Sequence, residues 1–185
     1  MADKEIKGSF EEKIETFHLP RSSELPELDF YMDQVISIME KNLSILSTDK
    51  EAKFITPAMI NNYVKLGIIP PPKKKRYSKE HICYLFIICT LKSAIPISSV
   101  TDIIKSHLKN RTVYELYDLF CEAYENLLAR AYEAAREISA EAEEAEEGIA
   151  KIALFMAISA STSQLIATST LKSVATEEIK EEQAQ

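Results

Sequence analysis

Four consecutive cations, Lys73-Lys74-Lys75-Arg76, form the densest chemical cluster in this sequence, and the chemistry they suit is holding phosphate rather than breaking bonds. Just upstream lie Asn61, Asn62 and Lys65. Asn side chains can make bidentate hydrogen bonds to adenine, and a lysine there can reach a phosphate. Lys53 and Thr56 add phosphate-binding groups at the other end of the same stretch. The charge balance picks out the same place. The chain carries 22 Lys and Arg against 29 Asp and Glu, a net charge of −7. Yet Ala52–Lys79 holds seven cations and no carboxylate, which leaves 15 cations to face all 29 acids elsewhere. A phosphate backbone senses that local field rather than the total.

Catalysis has no comparable cluster. His18, His81 and His107 fall in different elements without HxxxH or HExxH spacing. GxSxG, Walker and GxGxxG motifs are absent, and 3 glycines could not build such loops. No catalytic residue, cofactor or metal site is expected, so the chain reads as a non-enzyme. Cys83, Cys89 and Cys121 are odd in number and lie in apolar runs, with the first two too far apart for a CxxC pair. They read as small buried hydrophobes, reduced in a cytoplasmic protein. Met1–Lys13 mixes charges with apolar residues, so no secretory signal is expected.

The elements that must position the basic cluster are helical. Scarce glycine, no Trp and a wealth of Ala, Glu, Leu, Ile and Lys predict an all-α fold. From Leu28, Tyr31, Val35, Ile38, Met39, Asn42 and Ile45 (or Leu46) fall at spacings of three and four, a mostly apolar stripe that predicts an amphipathic helix. Thr56 is a good N-cap and Pro57 suits the first helical position, so a helix is predicted over Pro57–Leu66, stopped by Gly67. Pro70-Pro71-Pro72 must be extended, and the basic run follows as a short wing. The apolar stretch from about Lys79 to Ser93 predicts a central core helix, and Ser98 a cap for a helix over Ser99–Leu108. Thr112 is a possible cap for a long helix, Val113–Glu147, with Gly148 as the break before a last segment, Ile149–Ala175. These readings divide the chain into an N-terminal arm (1–27), a domain (28–111) and a C-terminal helical region (112–185).

The run Ile55–Pro72, continued by Lys75-Arg76-Tyr77-Ser78 and Ile82, resembles the MerR-type winged helix-turn-helix. Ile97–Ile104 looks like that family's fourth helix. Leu28–Ile45 with Met59–Lys65 is closer still to domain-of-unknown-function family 1836, a MerR-like bacterial group. The resemblance implies a MerR-like winged helix-turn-helix followed by long C-terminal helices. It matches at Tyr63, Gly67, Arg76 and Tyr77, and implies phosphate contact by Tyr63 and Arg76, with Tyr77 part of the wing. Asn61 stands where the MerR pattern usually has Arg and Val64 where it has Glu. The wing lacks the usual Gly, so the base-reading code does not carry over.

In the tail, Ile149, Ile152, Met156, Ser159, Ser163, Ile166 and Thr170 make one 3–4 repeat, and Leu154, Ile158 and Leu165 lie on another face. This predicts a helix packed on two sides, in a soluble bundle or a homodimer. A membrane span is the alternative, since the residues between Lys151 and Lys172 are uncharged over the right length. Eight of them are Ser, Thr or Gln, which weakens insertion. The expected partner is double-stranded DNA, bound by a dimeric transcriptional regulator with no identifiable small-molecule effector. A winged-helix module that binds an acidic protein instead of DNA is the alternative.

Overall fold

The computed structural model describes residues 12, 14–43 and 54–183, with side chains as far as residue 173. Among them are six helices, two isolated antiparallel bridges and no strand, an all-α architecture. Helix α1, Met32–Leu43, turns Val35, Met39 and Leu43 inward at the four-residue spacing of one helix face. The continuation predicted through Ile45 lies outside the described residues, as does Lys53.

Helix α2, Pro57–Lys65, has the ends its sequence dictates. Thr56 Oγ1 accepts the Met59 N–H at 3.3 Å, and Pro57 occupies the first turn. At the other end Gly67 takes φ 67°, the Gly67 N–H returns to Val64 C=O and the Ile68 N–H to Tyr63 C=O, both at 3.0 Å. Those two bonds are the Schellman pattern, and it needs the left-handed residue that glycine supplies.

Helix α3, Lys79–Leu91, is buried at every residue from His81 to Thr90. A helix with no polar face has to be sheathed on all sides, and α1, α4 (Ile97–Leu108) and α5 (Val113–Ala140) do so. Helix α4 starts ahead of the predicted Ser98 cap. The Val100 N–H bonds Pro96 C=O at 3.1 Å, which places Pro96 in the cap position without a side-chain bond. Helix α5 opens with a capping box, Thr112 N–H to the Glu115 carboxylate at 2.7 Å and Glu115 N–H to Thr112 Oγ1 at 3.3 Å.

Core continuity runs across the division predicted at residue 112, because Val113, Leu116, Tyr117 and Cys121 of α5 belong to the same buried cluster as α3. Residues 19–22 of the predicted arm are likewise bound in. Glu125 accepts the Leu19 N–H at 2.7 Å and both Arg21 amino groups at 2.8 and 2.5 Å. Asp118 accepts the Ser22 N–H and hydroxyl, each at 2.6 Å, and Tyr117 donates to Pro20 C=O at 2.7 Å.

The break before the last helix, α6 (Ala145–Gln183), falls at Glu141–Glu144 and not at Gly148. Gly148 lies inside α6, where a Cβ would come within 3.2 Å of Ala142 Cβ. The glycine therefore serves a close approach of the helix to the preceding turn. Helix α6 packs against α5 and α4, with Ile152, Met156 and Leu171 half-buried. Ile149, Leu154, Phe155, Ile158, Leu165 and Ile166 stay 52–66% exposed, so both packing sides predicted for this helix are largely uncovered, apart from Ile152 and Met156 on the first. Ala145–Ser173 is long and apolar enough to cross a membrane, and its apolar window is unburied.

Candidate nucleic-acid interface

The basic run folds into a tight hairpin. Lys73 and Arg76 form an antiparallel bridge, with the Arg76 N–H donating to Lys73 C=O at 2.9 Å. Between them Lys74 and Lys75 have φ 51° and 62°, the paired left-handed conformations of a type I′ turn. Such a turn normally takes Asn-Gly, and a β-carbon at either position costs about 1 kcal/mol. Two lysines at the tip thus stand against the backbone's preference.

A second bridge braces the hairpin. Phe30 and Tyr77 exchange both backbone hydrogen bonds, at 2.8 and 2.9 Å. In an antiparallel ladder the neighbouring cross-strand pair is then Tyr31 and Arg76, on the opposite face from Phe30 and Tyr77. Burial follows that alternation. Tyr77 is buried with its ring edge-on to His81 at 5.3 Å, while Tyr31 and Arg76 are exposed. The Arg76 guanidinium lies 4.3 Å from the centre of the Tyr31 ring, its Nη2 donates to Tyr31 Oη at 2.7 Å, and its Nη1 reaches Asp29 C=O at 3.4 Å. Sequence reasoning assigned Tyr31 to an apolar stripe and missed this role, which depends on a partner 45 residues away.

Several cations of the molecule are paired with carboxylates. Arg21 is paired with Glu125, Lys79 with Glu27, Arg136 with Glu133 and Lys151 with Glu147. The Glu27 carboxylate holds the Lys79 amine above its ordinary pKa. Lys65, Lys73, Lys74, Lys75 and Arg76 pair with no carboxylate among the described residues, and neither do Lys92, Lys105, Arg111 and Arg130; what sets the hairpin apart is four such cations in succession.

Of the other residues predicted for the interface, Asn61, Asn62 and Lys65 are exposed on α2. Thr56 is half-buried and its hydroxyl is occupied by the cap. Tyr63 is in the core, not on the surface: it is 5% exposed, and burial pushes its hydroxyl pKa up to about 12. Tyr77 is 3% exposed and its hydroxyl is raised by the same cause. Both rings face inward: Tyr63 shares the buried side of α2 with Ile60, and Tyr77 packs against His81 in the first turn of α3.

Elsewhere chemistry is sparse. Burial raises the Cys83 thiol to about 12 and the Cys89 and Cys121 thiols to about 11, so all three are protonated. No group of three His, Cys, Asp or Glu among the described residues is placed to hold a metal. A cleft of 370 Å³ behind α2 is walled by Ile68, Ile69, Pro70, Tyr84 and Ile104, with Glu80 and Lys105 also lining it.

Residues 20–126 match the model of the family described as Domain of unknown function (DUF1836). That span runs from the arm bound to α5, through the hairpin, to the residue after Glu125. No curated protein and no solved structure matches the chain.

Proposed function

The chain belongs to the DUF1836 family, and we propose that it is a DNA-binding transcriptional regulator built on a MerR-like winged helix-turn-helix. In this reading α2 enters the major groove with Asn61 and Asn62 outermost, and the hairpin Lys73–Arg76 lies on the phosphate backbone. The observation that carries it is the set of five cations without carboxylate partners, two of them on left-handed backbone, in a protein of net charge −7. Four consecutive cations concentrate positive potential on one short hairpin, and residues held in sparsely populated backbone conformations cluster at functional sites.

Two-fold helix-turn-helix proteins bind half-sites about 34–36 Å apart. The uncovered face of α6, with Leu154, Ile158 and Leu165, supplies an apolar surface through which two copies can pair. The test is binding to random-sequence duplex across a salt titration, wild type against the Lys73–Arg76 all-alanine variant. The expected result is salt-sensitive binding whose log–log slope falls by about 3 to 4 in the variant, since each neutralised phosphate contributes roughly 0.9. Absence of binding at low salt overturns the proposal.

A further inference from the structure

Arg76 differs from the three lysines beside it in being held. Its guanidinium is stacked on Tyr31 and bonded to Tyr31 Oη and to a backbone carbonyl, and neither partner is charged. We propose that Tyr31 is a positioning residue of the DNA interface, fixing the Arg76 guanidinium for a phosphodiester oxygen, so that the segment before α1 is part of the binding surface. The inference rests on the DNA reading above.

Three features support it. First, the pairing is dictated by register: the Phe30–Tyr77 bridge leaves Tyr31 and Arg76 as directly opposed outward residues. Second, the contacts engage one face and part of the donor edge of a planar group with five N–H donors, leaving the remaining donors to an incoming acceptor. A guanidinium held in one pose in advance loses less side-chain entropy on binding. Third, neutral partners leave the charge intact. A carboxylate in the place of Tyr31 would compete with phosphate; an aromatic ring does not.

A double-mutant cycle on random-sequence duplex at low salt tests the assignment, using Tyr31→Ala, Arg76→Ala, the double variant and Tyr31→Phe. Tyr31→Ala is expected to weaken binding roughly 3- to 10-fold, with the salt slope unchanged because no charge is removed. Arg76→Ala lowers the slope by about one phosphate, and the double variant binds like Arg76→Ala alone. Tyr31→Phe, which keeps the ring, falls between wild type and Tyr31→Ala. If wild type binds and Tyr31→Ala binds equally well, the DNA reading stands and the positioning role falls. The positioning role also falls if Tyr31→Ala loses the same factor in the Arg76→Ala background, since Tyr31 would then act independently of Arg76. If wild type binds no duplex, both the DNA reading and the positioning role fall.

Discussion

His81 Nδ1 accepts the Ser78 backbone N–H at 3.0 Å while Nε2 lies 3.1 Å from the carbonyl of Pro70, so one buried ring joins the start of α3 to the exit of α2. The arrangement requires the neutral tautomer with the proton on Nε2, because a protonated ring has no acceptor to offer Ser78. Burial lowers the His81 pKa, opposed by the Pro70 carbonyl and by the nearby charges of Glu80 and Asp29. A depressed histidine contributes stability that is present above its unfolded pKa of about 6.5 and is lost as pH falls through the lower native value. The chain is therefore expected to lose stability on acidification just below about pH 6.5, before the carboxylates titrate. His81→Gln should flatten that part of the profile, read as the denaturation midpoint against pH.

The tip of the hairpin sets stability against binding. Replacing Lys74-Lys75 by Asn-Gly relieves two left-handed lysines and is expected to stabilise the fold by about 1 kcal/mol. The same change removes two cations and should lower the salt slope for DNA by about 2. Opposite signs in chemical denaturation and in DNA affinity are the expected signature. A stability loss would contradict the turn assignment.

The clasp between the arm and α5 centres on one carboxylate. Hydrogen bonds from Arg21, with the Leu19 N–H and the Arg21 charge, hold Glu125 below its ordinary pKa. Glu125→Ala is expected to cost about 2 kcal/mol, less than for a fully buried pair because both side chains keep some solvent. Arg21→Ala should add little in that background. The clasp is present above the ordinary glutamate range and fails as pH falls through the depressed native value, a transition separable from that of His81.

Uncovered apolar side chains on α6 predict self-association. Wild type is expected to be dimeric by light scattering at micromolar concentration, and Leu154→Ser/Ile158→Ser/Leu165→Ser monomeric. Capture of a monomeric wild type by phosphatidylcholine vesicles would assign the same face to a bilayer.

Local rules made α2 legible in the sequence, because Thr56, Pro57 and Gly67 each act within a few residues of where they stand. The same holds for the Thr112–Glu115 box and for the apolar α3. Ser98 and Gly148 misled for one reason: each residue type has two uses, and only the packed structure selects between them. Helix α4 starts at Ile97, and Gly148 answers a steric demand from Ala142. The basic cluster was readable as charge, but its shape was not, since no turn rule anticipates Lys-Lys in a type I′ conformation. Tyr31 and the arm clasp were invisible because their partners lie 45 to 106 residues away. The family resemblance implied phosphate contact by Tyr63 and put Tyr77 in the wing; burial of both rings depends on the packed core and was not legible from the motif.

Helix α5 leaves the DUF1836 region without interruption, continuing from Asn126 to Ala140. At 1.5 Å per residue it projects about 20 Å beyond the clasp before the chain turns. The tail is thus mounted as a strut and not hung from a tether. Any rotation of α5 at the arm would swing its far end as a lever, converting a small angular change beside Glu125 into a displacement of several ångströms at Glu141.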